Sequence, residues 1–132
     1  MRFLIILTLI AQLKISSQTA NEYYNSARSK YNSGDLKGAI ADFNKSIHLD
    51  TNNYEAYRER GRAKNKSGNK NEAILDYTKA IQINQWDAWS YFYRSNAKSE
   101  SGDKDGAVID YDKAIELDPN IAKIIRNCLY CK

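Results

Sequence analysis

The residues best suited to covalent chemistry are two cysteines, Cys128 and Cys131, spaced C-x-x-C four residues from the end of the sequence given. That spacing suits a disulfide or a thiol-redox pair, but redox pairs of this kind follow a strand-helix-strand pattern that the sequence lacks. Haem attachment needs His after the second cysteine, and Lys132 stands there. Two thiolates without further ligands do not close a zinc site. His48 is the one histidine, so a histidine-based metal centre or a Ser-His-Asp triad has no material. Asp42, Asp76 and Asp110 are each followed three residues later by Lys45, Lys79 and Lys113, a helical spacing that predicts ion pairs on a solvent-facing side and not paired catalytic carboxylates. No catalytic set, metal or cofactor is therefore expected, and a thiol-redox role for Cys128 and Cys131 is the one enzymatic alternative.

The remaining composition suits binding on a helical scaffold. At 132 residues, 42% apolar and 27% charged, the chain is the size of one domain with an ordinary core. Ten tyrosines against one proline and six glycines leave few helix breaks. Met1-Arg2 is a short positive start, Phe3 to Ala11 is apolar except for Thr8, and Ser16-Ser17-Gln18 is a small polar exit. These are the three parts of a secretory signal, too short an apolar run for a permanent span. Residues 1–18 are expected to be removed near Gln18, leaving 19–132 as an exported, periplasmic or secreted domain with no membrane span. The alternatives are an uncleaved anchor or a hydrophobic first helix. Taking Arg2 and Lys14 from 20 Lys and Arg leaves 18 against 16 Asp and Glu, too even a balance for a nucleic-acid surface.

What positions these residues is a repeat. Gly34, Gly68 and Gly102 lie 34 apart, and segments 20–53, 54–87 and 88–121 aligned on them share eight identical columns. Among them are Tyr23/Tyr57/Tyr91, Lys30/Lys64/Lys98, Ala39/Ala73/Ala107, Asp42/Asp76/Asp110 and Ile47/Ile81/Ile115. A period of this length marks a solenoid. Each glycine predicts the left-handed end of one helix, and Asp35, Asn69 and Asp103 follow as caps of the next, Asn69 with Glu72 at capping-box spacing. Small residues (Ala27, Gly61, Ser95; Ser46, Ala80, Ala114) face Phe43, Tyr77 and Tyr111, which predicts close helix packing. Apolar Ile121, Ile124, Ile125, Cys128 and Leu129 predict a final capping helix over 121–131. The fold class expected is all-α, an α-solenoid of three helical hairpins plus this cap.

Arg60-Gly61-Arg62-Ala63-Lys64, Ala73-Ile74, Tyr77 and Ala80-Ile81, with Ala107, Tyr111, Ala114 and Pro119, resemble the tetratricopeptide repeat family over three repeats. The first repeat departs, with Ala27 for glycine and Ser46 for alanine, and Thr51 and Gln85 replace the usual proline. The resemblance implies a non-catalytic module that binds an extended peptide, or a partner segment, in a concave groove. Its groove offsets fall on Tyr24, Arg28 and Tyr31, on Arg58, Arg62 and Asn65, and on Trp89, Phe92 and Asn96. Trp89 and Phe92 would form an exposed apolar anchor, and Arg58 and Arg62 would hold an acidic or C-terminal peptide unless they pair with Glu55 and Glu59. The carboxylate clamp of some members is not expected, because Tyr24, Arg28, Glu59, Trp89 and Tyr93 stand where it needs Lys or Asn. Self-assembly through the open face of the first repeat is a further alternative.

Overall fold

The computed structural model describes residues 1–124, apart from the side chains of residues 16–18. Six helices run in antiparallel pairs: α1 (Arg2–Ser33), α2 (Leu36–Leu49), α3 (Tyr54–Lys66), α4 (Lys70–Ile83), α5 (Ala88–Ser101) and α6 (Lys104–Leu117). Each packs on the next in chain order, which is the stacking of a solenoid. A further helical stretch begins at 120 and is described as far as 124. Its Ile121 is buried against Ala88, Ala114 and Leu117. The rest of the expected cap, with Cys128 and Cys131, lies outside the described residues.

The turn chemistry follows the repeat. Gly34, Gly68 and Gly102 adopt φ of 89°, 93° and 97°, a region that other residues enter only at a cost. Asp35 and Asp103 accept from the N–H groups of Gly38 and Gly106 at 2.9 Å, capping α2 and α6. Asn69 is the exception, because its side chain makes no cap hydrogen bond to α4. Between repeats, Asp50, Asn84 and Asp118 each accept from the N–H two residues on, at 3.1, 3.1 and 3.0 Å. These side-chain turns set the bend at Thr51 and Gln85 without a proline.

Small residues let the helices meet. Gly61 lies against the Tyr77 ring, and a Cβ built there would sit 2.7 Å from its Cε1. Tyr77, only 1% exposed, thereby fills the space between α3 and α4 and packs with Ala73 and Ala97. In the first repeat Phe43 fills the matching space, with Ala27 in place of glycine, and meets Tyr24 edge-on at 5.8 Å. Two of the small positions, Ser46 and Ser95, also make hydrogen bonds across the helices. Ser46 is buried and donates to the Ala20 carbonyl at 2.9 Å, and Ser95 donates to that of Ala107 at 2.8 Å. Tyr111, on the last hairpin, is only partly buried.

Asp42, Asp76 and Asp110 do not face solvent. They are 5%, 5% and 2% exposed, and their main partners lie on the preceding helix. Lys30 donates to Asp42 at 2.6 Å, beside Ser26 at 2.7 Å. Arg60 grips Asp76 with two bonds of 2.6 and 2.8 Å, and Arg94 grips Asp110 with two of 2.7 Å. Lys64 and Lys98 complete these pairs at 3.1 and 2.8 Å. Of the lysines three residues on, Lys45 lies 3.9 Å from Asp42, and Lys113 pairs with Glu116 instead. The third nitrogen of each arginine reaches back one repeat, from Arg60 to Asn44 at 2.8 Å and from Arg94 to Thr78 at 3.0 Å. One guanidinium thus joins three helices, and the planar fork of arginine is what permits it.

Helix α1 continues without a break through the expected cleavage point at Gln18. From Phe3 to Ile15 its large apolar side chains are exposed, while Ala20, Tyr24 and Ala27 are buried in the first repeat. The helix is long and apolar enough to cross a membrane by length and composition, a property that signal sequences share.

Candidate functional site

The first helix of each pair, α1 from Ala20 onward, α3 and α5, lines the concave side. Two adjoining hollows open there. The first, about 330 Å³, is lined by Tyr24, Arg28, Tyr31 and Asn32 of α1 and by Glu55, Arg58, Glu59 and Arg62 of α3. The second, about 350 Å³, continues from Tyr31 and Arg62 to Asn65, Lys66, Tyr77, Tyr93 and Glu100. Tyr31 and Arg62 are common to both, so the hollows form one groove across three repeats.

Its floor is a charge network. Glu59, nearly buried, accepts from Arg58 Nε at 3.3 Å and from Arg62 Nη1 at 2.7 Å. Arg58 also donates to Asp87 at 2.8 Å, and Asp87 caps α5 by accepting from the N–H and hydroxyl of Ser90. Burial would lower the pKa of Arg58, but Asp87 and Glu59 outweigh it and raise the value. Burial works the same way on Arg62, where Glu59 is the main force raising it. Both guanidinium groups stay charged and their charge is met within the protein. Desolvation pushes the Tyr77 hydroxyl well above the usual phenol range and raises that of Tyr24, to which Glu55 and Glu59 add. These tyrosines present neutral hydroxyls.

Seven of the nine residues that the groove offsets select are placed as follows. Tyr24, Arg28, Tyr31, Arg58, Arg62 and Asn65 line the hollows, while Asn96 is exposed on α5 outside both. The expectation that Arg58 and Arg62 stand free for an acidic ligand is corrected by their pairing with Asp87 and Glu59. Glu55 takes no part in that pairing. Trp89 and Phe92 are not an open anchor either. They are partly buried, pack against the cluster of Ala88, Ala114 and Ile121, and meet each other at 5.9 Å and Tyr93 at 5.7 and 5.6 Å. The cations left outward are Arg28, over the Tyr24 ring at 5.9 Å, and Lys66, over the Tyr31 ring at 5.0 Å. Asn65 Oδ1 is buried in the second hollow without a hydrogen-bond partner.

Sequence reasoning missed Asp87 and Lys66 as parts of the site, and named Tyr93 only as a residue that breaks the carboxylate clamp. Tyr93 is the repeat equivalent of Glu59, 34 residues on, and that register could have exposed it. Among the described residues no group of three or more His, Cys, Asp and Glu side chains could hold a metal ion.

A profile of the tetratricopeptide repeat matches residues 23–53, 54–85 and 90–121. The chain belongs to the tetratricopeptide repeat family. It is accordingly a protein-interaction module, a class that is generally a non-enzymatic scaffold. A crystal structure of MamA superposes with a TM-score of 0.74 at 27% identity over 81% of the chain. The match covers 63% of MamA, so the chain spans less than two thirds of that relative. The first tetratricopeptide domain of Spaghetti (RPAP3), bound to the HSP90 peptide SRMEEVD, superposes with a TM-score of 0.77 at 22% identity, covering 86% of this chain and 95% of that domain. The Arabidopsis OM64 domain gives 0.77 at 22% identity, covering 79% and 86%. At these identities the last two show the fold alone. No curated protein matches the sequence significantly.

Proposed function

We propose that the concave groove binds an extended segment of a partner protein, with acidic side chains or a terminal carboxylate meeting Arg28 and Lys66. The observation that carries this reading is the pair of joined hollows, walled by the first helices of all three repeats. Arg58 and Arg62 are already neutralised by Glu59 and Asp87. A ligand carboxylate therefore gains most from the two exposed cations. Tyr31 and Tyr93 supply the aromatic part of the lining. That related domains grip peptides in solved structures supports a peptide as ligand.

Random peptides displayed with free C-termini and selected on the chain test this directly. Enriched peptides should carry acidic residues, and their binding should fall at least about tenfold when Arg28→Glu and Lys66→Glu are combined, on the scale of lost charged contacts. Lys79→Glu, an exposed charge on α4, should leave binding unchanged. Selected peptides that bind all these variants equally would rule the groove out.

We also infer that residues 1–18 direct export to the periplasm or outside the cell. Support comes from the positive start, the short apolar run and the exposure of its side chains from Phe3 to Ile15. Intact mass of the exported protein should correspond to a chain beginning near Thr19. Recovery of the chain from Met1 in the soluble cytosol would contradict it.

A further inference from the structure

Arg62 stands at the centre of the groove in a position that its pairing with Glu59 does not explain. Its guanidinium carbon lies 5.1 Å from the centroid of the Tyr31 ring on α1 and 4.9 Å from that of the Tyr93 ring on α5. The two outer helices do not pack against each other, because α3 lies between them. Among the described residues, Arg62 is the side chain whose cation meets a ring on both. A guanidinium is flat and carries its charge on two faces, so it can serve two rings at once, which the compact ammonium of lysine does less well. Glu59 holds its edge at 2.7 Å and fixes its plane.

We propose that Arg62 is a positioning residue that sets the width of the concave groove by tying the first repeat to the third. On the convex side Arg60 and Arg94 join neighbouring repeats through Asp76 with Asn44 and Asp110 with Thr78. The second and third repeats are also joined at the front of the groove, by Arg58 and Asp87 at 2.8 Å, so the freedom left there is chiefly that of the first repeat against the other two. The stack of Tyr31, Arg62 and Tyr93 spans that front. Removing the cation takes away the contact that links the two rings, and the first repeat can then splay about the ion pairs of Arg60 and Asp76. The consequence for ligands rests on the groove reading above, but the width is a property of the free protein.

Spin labels at Asn32→Cys and Asn96→Cys, both exposed on the outer helices, report that width in a Cys128→Ser, Cys131→Ser background. The parent chain should give one narrow distance distribution by double electron-electron resonance. Arg62→Gln should lose it, giving a broader distribution shifted to longer distance while helical circular dichroism is retained. Tyr31→Leu, which removes the ring but keeps an apolar side chain against the first core cluster, should broaden it likewise. A distribution for either variant that superimposes on the parent would overturn the proposal, whether or not any peptide has been found to bind.

Discussion

Tyr77→Ala should be among the most destabilising single changes in the chain, at about 3–5 kcal/mol, the cost of emptying an aromatic site in a core. Tyr77 is 1% exposed and fills the gap that Gly61 leaves between α3 and α4. It also stacks on Tyr93 of the third repeat with ring centroids 6.0 Å apart. Its removal opens a cavity at the interface of two repeats, where neighbours on rigid helices relax little. Urea unfolding followed by circular dichroism measures the loss. Tyr111→Ala, at the matching but only partly buried position, should cost less. Equal costs would mean that neighbouring repeats do not set the packing.

Asp110→Ala should cost about 3 kcal/mol or more, because removing one member of a buried ion pair strands its partners. Arg94 and Lys98 both donate to this carboxylate, at 2.7 and 2.8 Å. Burial alone would raise its pKa, yet the hydrogen bonds from Arg94 and Lys98 outweigh that and hold it below the ordinary value of 3.8. The Lys30 and Ser26 hydrogen bonds lower that of Asp42 in the same direction. A carboxyl with a lower pKa in the folded than in the unfolded chain contributes stability above its unfolded value. That stability is lost as the pH falls through the folded value. The parent chain should therefore weaken steeply below about pH 4, and Asp110→Ala should flatten part of that slope. An unchanged acid profile in the variant would contradict the pairing.

The helices were legible because their determinants are local. Gly34, Gly68 and Gly102 had to end helices, and Asp35 and Asp103 had to begin the next, whatever the tertiary packing. The aspartate columns were misread for the opposite reason. A spacing of three to Lys45, Lys79 and Lys113 is visible along one helix, whereas the true partners lie 12 and 16 residues back, across the hairpin. The signal was present in Lys30/Lys64/Lys98, an equally invariant column 12 residues before the aspartates, but it speaks only once the antiparallel register is known. The register grouped Tyr24, Arg58 and Arg62, and the three line one hollow. It could not show that Arg58 is held by Asp87, 29 residues away, because that contact depends on how closely the second and third repeats stack. Nor could it show that Trp89 and Phe92 would pack against the cluster of Ala88, Ala114 and Ile121.

The central claim is that a partner sits in the concave groove, and site-specific photo-crosslinking in the native cell tests it most directly. A benzophenone amino acid at Asn32 lies in the first hollow and one at Asn96 on the first helix of the third hairpin, α5, whereas one at Lys79 or Asp112 lies on the second helices of the hairpins, α4 and α6; all four positions are exposed. Adducts of one common mass should form from Asn32 and Asn96, disappear when Arg28→Glu and Lys66→Glu are added, and be missing from Lys79 and Asp112. Adducts from Lys79 and Asp112 alone, or adducts indifferent to the charge reversals, would contradict it.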